Sequence, residues 1–378
     1  MMELSIHTSL EDIPPEHWNA LVDADNPFAR HEFLIALERH QAVGEKFGWL
    51  PQYITAYENG TLLGAAPMYL KDNSYGEFVF DWDWADAWHR SGLEYYPKLV
   101  VAIPYTPATG ARLLLREAND PAIATALIDF ATAHARRLNV SSLHWLFTDA
   151  TDTQRFRDHP DYMLRLGCQF HWQNQNYKDF DDYLSHLTSK KRKQIRRERR
   201  QVREQHIDLE VLHGNEISEE QWRIFHGFYC STFDKKSGYA TLCLDFFLEI
   251  SHTMPANIVL VMAKHQGEYV AGAFNIRGEK TLYGRHWGCS EDFYSLHFEA
   301  CYYQGLAYCI THDLQRFEPG AQGEHKISRG FLPTPTWSAH WIAHPQFRQA
   351  IEQFLQRETI GMQHYIEELS GHSPFKTA

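Results

Sequence analysis

The sequence predicts an α+β protein in which one arrangement of helices and strands is used twice. Residues 53–82 and 258–287 each contain three apolar runs separated by short polar turns, which is typical of antiparallel strands. Two amphipathic helical patterns precede each segment, and a further helix and an aromatic-rich strand follow it. A chain of 378 residues is also too long for one ordinary hydrophobic core. These observations indicate two domains of similar construction.

In the first half, PPEHWNALVDAD and HEFLIALERH predict the two helices, because their apolar residues recur three and four positions apart. Polar turns at residues 58–60 and 71–76 divide the following segment into three strands. A helix is predicted over residues 121–138, and the strand SSLHWLF follows it.

The second half repeats this order. SEEQWRIFHGFYCSTF and LDFFLEISHTM predict its two helices, and turns at residues 265–268 and 277–280 divide the next segment into three strands. A helix over about residues 295–312 leads to the short strand RFEP. The repeated order predicts a tandem protein, since several elements match in sequence rather than one hairpin alone.

A change from a strand-like pattern to a loop and then a helix marks the boundary between the halves. We therefore predict an N-terminal domain over residues 1–165 and a C-terminal domain over residues 166–378. A long amphipathic helix is predicted at about residues 345–370, bounded by a proline and a glycine. This helix is a candidate to pack back across the domain join.

Composition disfavours several classes of protein. The formal net charge of −12 argues against binding to DNA, since phosphate contacts need an extended basic face. The acidic start of the chain does not resemble a secretory signal, and no apolar run is long enough for a transmembrane segment. The six cysteines contain no Cys-x-x-Cys pair, which is typical of reduced thiols. We therefore expect a cytoplasmic protein.

The strongest local charge lies in TSKKRKQIRRERRQVREQH. Between Lys190 and Arg203, nine lysines and arginines accompany one acidic residue, a net charge of +8. These residues are strong helix formers, and Lys193, Arg196 and Arg200 share one helical face with Arg203. The helix is either a solvated face beside acidic neighbours or a clamp for the phosphates of a nucleotide-linked substrate or a tRNA acceptor stem.

The segment FEPGAQGEHKISRGF, residues 317–331, places charged residues and glycines between apolar patterns. Its titratable and basic residues are Glu318, Glu324, His325, Lys326 and Arg329. One interpretation is a structural ion network that ties the last strand to the core. The other is the polar wall of an active site. A metal site is disfavoured, because these motifs show no His-x-His or His-x-x-x-His cluster with a suitable carboxylate.

In the first half, DWDWADAW alternates acids and tryptophans over residues 81–88. It is either a strand end with half-buried aromatic side chains or an acceptor cleft in which Asp81 and Trp82 hold a cationic amine. Tyr105, with Thr106 and Arg112 nearby in sequence, would lie near a strand-to-helix loop of the same domain.

The motifs KKRKQIRRERRQV, YGRHWG, LHFEACYYQGLAYCI and FEPGAQGEHKISRGFLPTPTWSAHW together resemble one known family. Over nearly its whole length the chain resembles the FemAB-like branch of the GNAT acyltransferases, often described as peptidoglycan biosynthesis or recognition proteins. The resemblance implies tandem GNAT domains, each a mixed, mostly antiparallel sheet flanked by helices. It also implies an N-acyltransferase or aminoacyltransferase, since Fem transferases move an aminoacyl group from aminoacyl-tRNA to an amine on a peptidoglycan precursor.

The resemblance also implies roles for particular residues. KISRGF is similar to the Lys-x-x-x-Gly-Phe segment of Fem transferases, which places Lys326 on the lysine linked to catalysis. SKKRKQIRR is similar to the basic segment that helps hold precursor phosphates, so Arg192 and Arg196 become substrate-binding candidates.

The sequence RHWGCS is the nearest match to the GNAT pyrophosphate pattern, with Ser290 where glycine or alanine is expected. This match makes Arg285, His286 and Trp287 substrate-binding candidates. Arg329 of the charged segment is another.

Acyl transfer requires a neutral amine and a stabilised oxyanion. An amine with a pKa of about 10.4 is neutral only about one time in 2,500 at pH 7, a penalty of roughly 4.6 kcal/mol. Glu324 or His325 would take the proton as a general base, with Glu318 and Glu299 as further candidates. Lys326 would face the oxyanion, where losing one donor typically costs about 3–4 kcal/mol.

No tightly bound cofactor is expected, and acyl-CoA and aminoacyl-tRNA are both open as the donor. The acceptor would be an amine on a UDP-linked peptidoglycan precursor or a peptide. Two alternatives stand beside this prediction. One is a non-catalytic module that recognises such precursors or peptides, and the other is an acetyl-CoA-dependent N-acetyltransferase of small molecules.

Overall fold

The computed structural model describes residues 2–235, 238–321 and 323–376. Both halves of the chain combine helices with mixed, mostly antiparallel sheets, which confirms the predicted fold class. Within the described residues, no helix is long and apolar enough to cross a membrane.

The described residues form the following helices and strands, in chain order. The helices are α1 (Pro15–Asn19), α2 (His31–Arg39), α3 (Trp82–Arg90), α4 (Pro121–Leu138), α5 (Ala150–Asp158), α6 (Phe180–His186), α7 (Ser189–Glu204), α8 (Glu219–Asp234), α9 (Leu244–Thr253), α10 (Leu296–Phe298), α11 (Gln304–Thr311) and α12 (Pro345–Ser370). The strands are β1 (Glu3–His7), β2 (Trp49–Pro51), β3 (Tyr53–Glu58), β4 (Thr61–Ala66), β5 (Met68–Lys71), β6 (Lys98–Val101), β7 (Leu114–Leu115), β8 (Ser142–Thr148), β9 (Met163–Gln173), β10 (Ile207–His213), β11 (Ile258–His265), β12 (Glu268–Arg277), β13 (Thr281–Cys289), β14 (Arg316–Glu318) and β15 (Leu332–Ile342).

The chain divides into two compact units. The first unit is Met1–Cys168 with Pro335–Tyr365, and the second is Gln169–Thr334 with Ile366–Ala378. The long last helix therefore contributes most of its residues to the first unit.

The first unit contains two groups of paired strands. One group has the order β1-β3-β4-β7 and is antiparallel throughout. In the other, β2, β5 and β6 pair antiparallel, β6 lies parallel to β8, and β15 pairs antiparallel with β8. Helix α4 packs on this core through Leu127 and Ala131, against residues such as Ile54 and Trp145.

The first half departs from the prediction at its third strand. Pro67 separates β4 from β5, so that β4 pairs with β3 and β7 while β5 pairs with β2 and β6. A proline has no N–H to donate, and the ladder breaks there. Residues 77–81 form no strand, and helix α3 begins at Trp82. The prediction of a strand end at DWDWADAW is therefore wrong.

Helix α3 explains why this stretch is ambiguous in sequence. Trp84 and Trp88 are four positions apart and both buried, which is the helical spacing. Trp82 is two positions from Trp84 and 40% exposed. The alternation of tryptophan and acid fits both a strand and a helix over so few residues, and only the burial distinguishes them.

The second unit follows the prediction closely. Strands β10, β11, β12 and β13 form an antiparallel ladder, β14 lies parallel to β13, and the end of β9 pairs antiparallel with β14. Helices α8 and α9 begin and end within a few residues of their predicted limits. The helix predicted over about residues 295–312 is also present, but a π-helical turn at Glu299–Tyr303 interrupts it.

Candidate functional site

A cavity of about 270 Å³ opens in the second unit. We call it the Lys326 cavity. Its walls come from β12, β13, the π-helical turn and the loop after β14. The lining residues are Ala273, Phe274, Asn275, Gly284, Arg285, His286, Trp287, His297, Cys301, Tyr302, Pro319, Gly320, Ala321, His325 and Lys326.

Two strands that separate create the opening. Strands β13 and β14 pair in parallel only from Thr281 to Tyr283, opposite Arg316 to Glu318. Strand β13 then continues to Cys289, whereas β14 ends. Gly284 lies where the strands part, and a Cβ there would come within 3.1 Å of the Pro319 Cα.

A β-bulge aims consecutive side chains of β13 at the cavity. Phe274 pairs with His286, but its neighbour Asn275 pairs with Gly284, so Arg285 is the extra residue. Successive side chains of a regular strand point to opposite faces, and a bulge re-aims them. Arg285, His286 and Trp287 therefore all line the cavity.

These side chains differ in charge. Burial lowers the pKa of Arg285 to about 10, which leaves a cation at neutral pH. Burial also holds the pKa of His286 well below its usual range, and the Arg285 charge adds to the effect. The neutral imidazole stacks on Phe274 with parallel rings 6.2 Å apart and meets the Tyr229 ring edge-on at 4.8 Å.

Lys326 sits in a 3₁₀ turn, Glu324–Arg329, and its side chain is buried. Its Nζ donates to the Gly320 carbonyl oxygen at 2.7 Å, and it forms no ion pair with any residue that the structure describes. Burial lowers the pKa of Lys326 to about 8. Gly320 and Gly323 have φ values of 95° and 114°, a left-handed region that favours glycine.

His325 and Tyr302 form a second polar pair in the cavity. The His325 Nε2 and the Tyr302 hydroxyl are 2.9 Å apart. Burial lowers the pKa of His325, and the charges of Arg329 and Lys326 lower it further. Burial raises the pKa of Tyr302. The cavity thus offers a neutral imidazole near a lysine whose charge titrates close to physiological pH.

A family model described as FemAB-like, peptidoglycan biosynthesis/recognition, matches residues 9–377. The chain belongs to the FemAB-like family. A comparison with curated proteins finds no match.

Three solved structures share the FemAB-like fold of this chain at low sequence identity. The C-terminal DUF2156 domain of a putative lysylphosphatidylglycerol synthetase from Agrobacterium fabrum is 9% identical, with a TM-score of 0.55 over 90% of this chain and 95% of that one. FemX is 11% identical, with a TM-score of 0.54 over 93% of this chain and 100% of that one. L-PGS from Bacillus licheniformis is also 11% identical, with a TM-score of 0.54 over 91% of this chain and 96% of that one.

At these identities the likeness concerns the fold alone.

The structure brings some of the predicted site residues of this FemAB-like chain together and separates others. Lys326, His325, Arg285, His286 and Trp287 line one cavity. Glu324 is exposed and does not line it. The match of RHWGCS to a pyrophosphate loop does not hold in space, because Arg285 to Cys289 lie within β13. A Cβ on Gly288 would come within 2.1 Å of the Phe228 carbonyl oxygen, so this glycine serves strand–helix packing.

Three predicted residues of the second half are engaged in ion pairs inside the protein. Glu299 is buried and pairs with Arg199 of α7 at 3.1 Å. Arg329 is buried and donates to Glu198 of the same helix at 3.0 Å. Its guanidinium also lies 3.6 Å from the centre of the Phe298 ring.

Glu318, the third, is buried in β14 and lies 3.0 Å from the Arg316 guanidinium and 3.8 Å from His171. The contacts of these residues are those of a structural ion network, which was one of the two interpretations of the charged segment.

The predicted residues of the first half lie in the first unit. Asp81 is buried, accepts a hydrogen bond from the Tyr95 hydroxyl at 2.6 Å and pairs with Lys98. Trp82 is partly exposed and meets Tyr75 edge-on. Tyr105 donates to the Ala42 carbonyl oxygen at 2.7 Å.

The cations of the basic helix α7 fall into two groups, those that form ion pairs with described residues and those that do not. Arg196 pairs with Asp181 at 3.0 Å, Arg200 with Glu204 at 3.4 Å, and Arg199 with Glu299 as described above. The remaining cations form no ion pair with any described residue and lie exposed or half-buried. They are Lys190, Lys191, Arg192, Lys193, Arg197 and Arg203.

Several cavity residues were not among the predicted ones, notably Tyr302, Asn275, His297 and Cys301. Tyr302 and Cys301 lie on the π-helical turn, and Asn275 lies at the bulge. Both irregularities depend on packing with residues distant in the chain. The run ACYYQ signalled a buried helix but not which side chain faces a cavity.

Proposed function

We propose that this protein is an acyltransferase that moves an acyl or aminoacyl group onto an amine. The observation that carries the proposal is Lys326, a buried lysine whose ammonium faces a cavity in which the described residues place no carboxylate counter-ion. A desolvated ammonium is available to stabilise negative charge that develops on a reacting carbonyl oxygen. The FemAB-like family and the fold support the same class of reaction.

In the proposed mechanism, the acceptor nitrogen attacks the donor carbonyl carbon, and Lys326 stabilises the oxyanion. The neutral imidazole of His325 takes the proton from the nitrogen, and the Tyr302 hydroxyl orients that ring. Collapse of the intermediate re-forms the carbonyl, breaks the bond to the carrier and gives the leaving group the proton held by His325. Arg285 supplies a second positive charge to the cavity wall.

We propose an amine-bearing acceptor related to peptidoglycan, either a UDP-linked precursor or a peptide, because the family description names peptidoglycan. The unpaired cations of α7 would contact phosphates of such a substrate or of a tRNA. Acyl-CoA and aminoacyl-tRNA both stay open as donors. Six free cysteines accord with a cytoplasmic protein.

The test is transfer activity of Lys326→Met with acyl-CoA and aminoacyl-tRNA donors and a panel of amine acceptors. We expect turnover to fall about 10²–10³-fold, the usual cost of losing one oxyanion donor. In the wild type, kcat should decline as the pH rises through about 8, since the ammonium form of Lys326 is required.

Lys178→Met is the matched control, because Lys178 is exposed and distant in the chain from the cavity segments. Its turnover should equal that of the wild type. Unchanged turnover in Lys326→Met would contradict the proposal. Substrate binding without any transfer by the wild type would favour the non-catalytic recognition module.

A further inference from the structure

A second cavity, of about 640 Å³, lies in the second unit and is not used by the proposed reaction. We call it the His171 cavity. Its volume is within the range of about 300–1,000 Å³ that small-molecule sites occupy. The lining residues are His171, Gln173, Gln175, Tyr177, Ser185, His186, Gly330, Leu332, Phe375 and Lys376.

The cavity has an aromatic and aliphatic surface. Tyr177 is buried, and Leu332 and Phe375 are half-buried. The backbone holds Phe375 in place, since the Thr188 N–H donates to the Pro374 carbonyl oxygen at 2.8 Å and the Lys376 N–H donates to the His186 carbonyl oxygen at 2.9 Å. Apolar ring faces of this kind cover the apolar face of a ligand.

The polar groups around that surface share one property. Amides, hydroxyls and neutral imidazoles can each donate and accept hydrogen bonds. Gln173 and Gln175 are exposed, and neither side-chain amide bonds to any residue that the structure describes. Ser185 lies beside them with its hydroxyl 3.5 Å from the His186 ring. These groups match a ligand whose own groups also donate and accept, as hydroxyl groups do.

Charge is nearly absent from the lining. It contains no carboxylate, and burial lowers the pKa of His171 to about 3, which keeps that ring neutral. Lys376 is the formally charged lining residue. An ammonium ligand would find no counter-ion among these side chains, and a polyanion would find one cation only.

We propose that the His171 cavity binds a saccharide ring, a neutral ligand with several hydroxyl groups and one apolar face. The apolar face would lie against Leu332 and Phe375, which are partly exposed, and the hydroxyl groups would bond to Gln173, Gln175 and Ser185. The proposal goes beyond the transferase reaction and stands on different residues.

The site is also connected to the segment that carries Lys326. Gly330 follows the 3₁₀ turn directly, and a Cβ there would come within 3.1 Å of the Phe375 ring. The Tyr183 hydroxyl donates to the Arg329 carbonyl oxygen at 2.7 Å. A bound ring would therefore lie beside the chain that leaves the catalytic turn.

The experiment uses the full chain with N,N′-diacetylchitobiose as the probe, by saturation-transfer NMR and calorimetry. We expect saturable binding to the wild type and about tenfold weaker binding to Gln175→Ala, since one good hydrogen bond is lost. Phe375→Ala should weaken it similarly. Gln363→Ala, an exposed glutamine of α12, and Lys326→Met should bind as the wild type does.

Gln175→Ala keeps the test valid if Phe375→Ala unfolds the C-terminal segment, because the Gln175 side-chain amide bonds to none of the described residues. Failure of the disaccharide to saturate the wild type would overturn the proposal. Unchanged binding of the disaccharide to Gln175→Ala would also overturn it. The dipeptide D-alanyl-D-alanine is a second probe, and tighter binding of this dipeptide than of the disaccharide would overturn the proposal too. None of these outcomes bears on the turnover of Lys326→Met, so the two proposals fail independently.

Discussion

Both units of the protein bury lysines, and Lys98 of the first unit and Lys326 of the second differ in their partners. Lys98 in the first unit is fully buried and contacts two carboxylates, Glu77 at 2.8 Å and Asp81. Lys326 in the second unit is almost as buried, yet its Nζ meets a backbone carbonyl. Burial alone would lower both pKa values. For Lys98 the two carboxylates outweigh burial and raise the pKa, whereas for Lys326 burial prevails.

The comparison separates a structural ion cluster from a candidate reactive group. A paired buried charge stabilises its neighbours and has no spare interaction for a substrate. An unpaired one costs stability and, where it faces a cavity, is a candidate for a functional group. Buried lysines therefore need to be judged by the charges that they face.

The largest expected effect is on stability, in Lys98→Met. The substitution leaves Glu77 and Asp81 buried without their cation, which typically costs about 3–5 kcal/mol. Lys326→Met removes no ion pair and should lower the free energy of unfolding by less than about 1 kcal/mol. Urea unfolding of both variants and the wild type measures the contrast. Equal losses would show that the two lysines have the same structural role.

The pH dependence of stability should also differ between the two lysines. The folded pKa of Lys326, about 8, is below its ordinary 10.5, so the unfolded chain binds more protons between these values. Its contribution therefore makes the protein more stable as the pH rises from about 8 to 10.5, by a few kcal/mol at most. Lys98 has a raised pKa, and its contribution is present below 10.5 and lost above the folded value.

The measurement is the free energy of unfolding of wild type and Lys326→Met across pH 8 to 10.5. The free energy of unfolding of the wild type should rise relative to that of Lys326→Met as the pH rises. Lys178→Met, measured over the same range, is the control for the other titrating groups. A difference that stays constant over this range would mean that Lys326 has an ordinary pKa.

Within the first unit's cluster, the two carboxylates should not be equivalent. Burial would raise the pKa of Asp81, but Lys98 lowers it to about 2, whereas burial raises the pKa of Glu77 to about 7. At pH 6, Asp81→Asn should cost about 2–3 kcal/mol, because a charged hydrogen-bond partner is lost. Glu77→Gln changes the carboxyl whose pKa is raised, so it removes less negative charge at pH 6 and should cost less than Asp81→Asn. Thermal unfolding at pH 6 compares them, and a larger loss in Glu77→Gln would reverse the assignment.

The smallest effect concerns the ring of His325 in the second unit. Tyr302→Phe removes its hydroxyl partner and should lower kcat by about tenfold at most, since one hydrogen bond contributes roughly 0.5–1.5 kcal/mol. Tyr308→Phe is the control, because the Tyr308 hydroxyl bonds to Arg277 and does not line the cavity. Steady-state kinetics of the two variants decides whether the Tyr302 hydroxyl positions the base.

Much of the fold was predictable because periodicity is a local property of the sequence. The two helices and three strands of the second half follow from it directly. The third strand of the first half was not predictable, because Pro67 redirects β5 to other partners. Pattern alone does not tell which strand a neighbour will join.

The candidate site was predictable only where neighbouring residues share one environment. His325 and Lys326 are adjacent, and Arg285 to Trp287 are consecutive, and all five line the cavity. Glu299 and Arg329 were predicted as site residues because their actual partners are far away in sequence. Their ion-pair partners in α7 lie 100 and 131 positions from them.

The extra residue in β13 has a consequence for how such a site could be gained or lost. Deleting Arg285 would remove the bulge and let His286 and Gly284 fall into regular register with β12. The sheet could then keep every ladder hydrogen bond. The Arg285 side chain would be gone, and the side chains of His286 and Trp287 would again point to opposite faces of the sheet. A one-codon deletion would thus convert this part of the Lys326 cavity wall into a regular strand, and insertion of one codon would do the reverse.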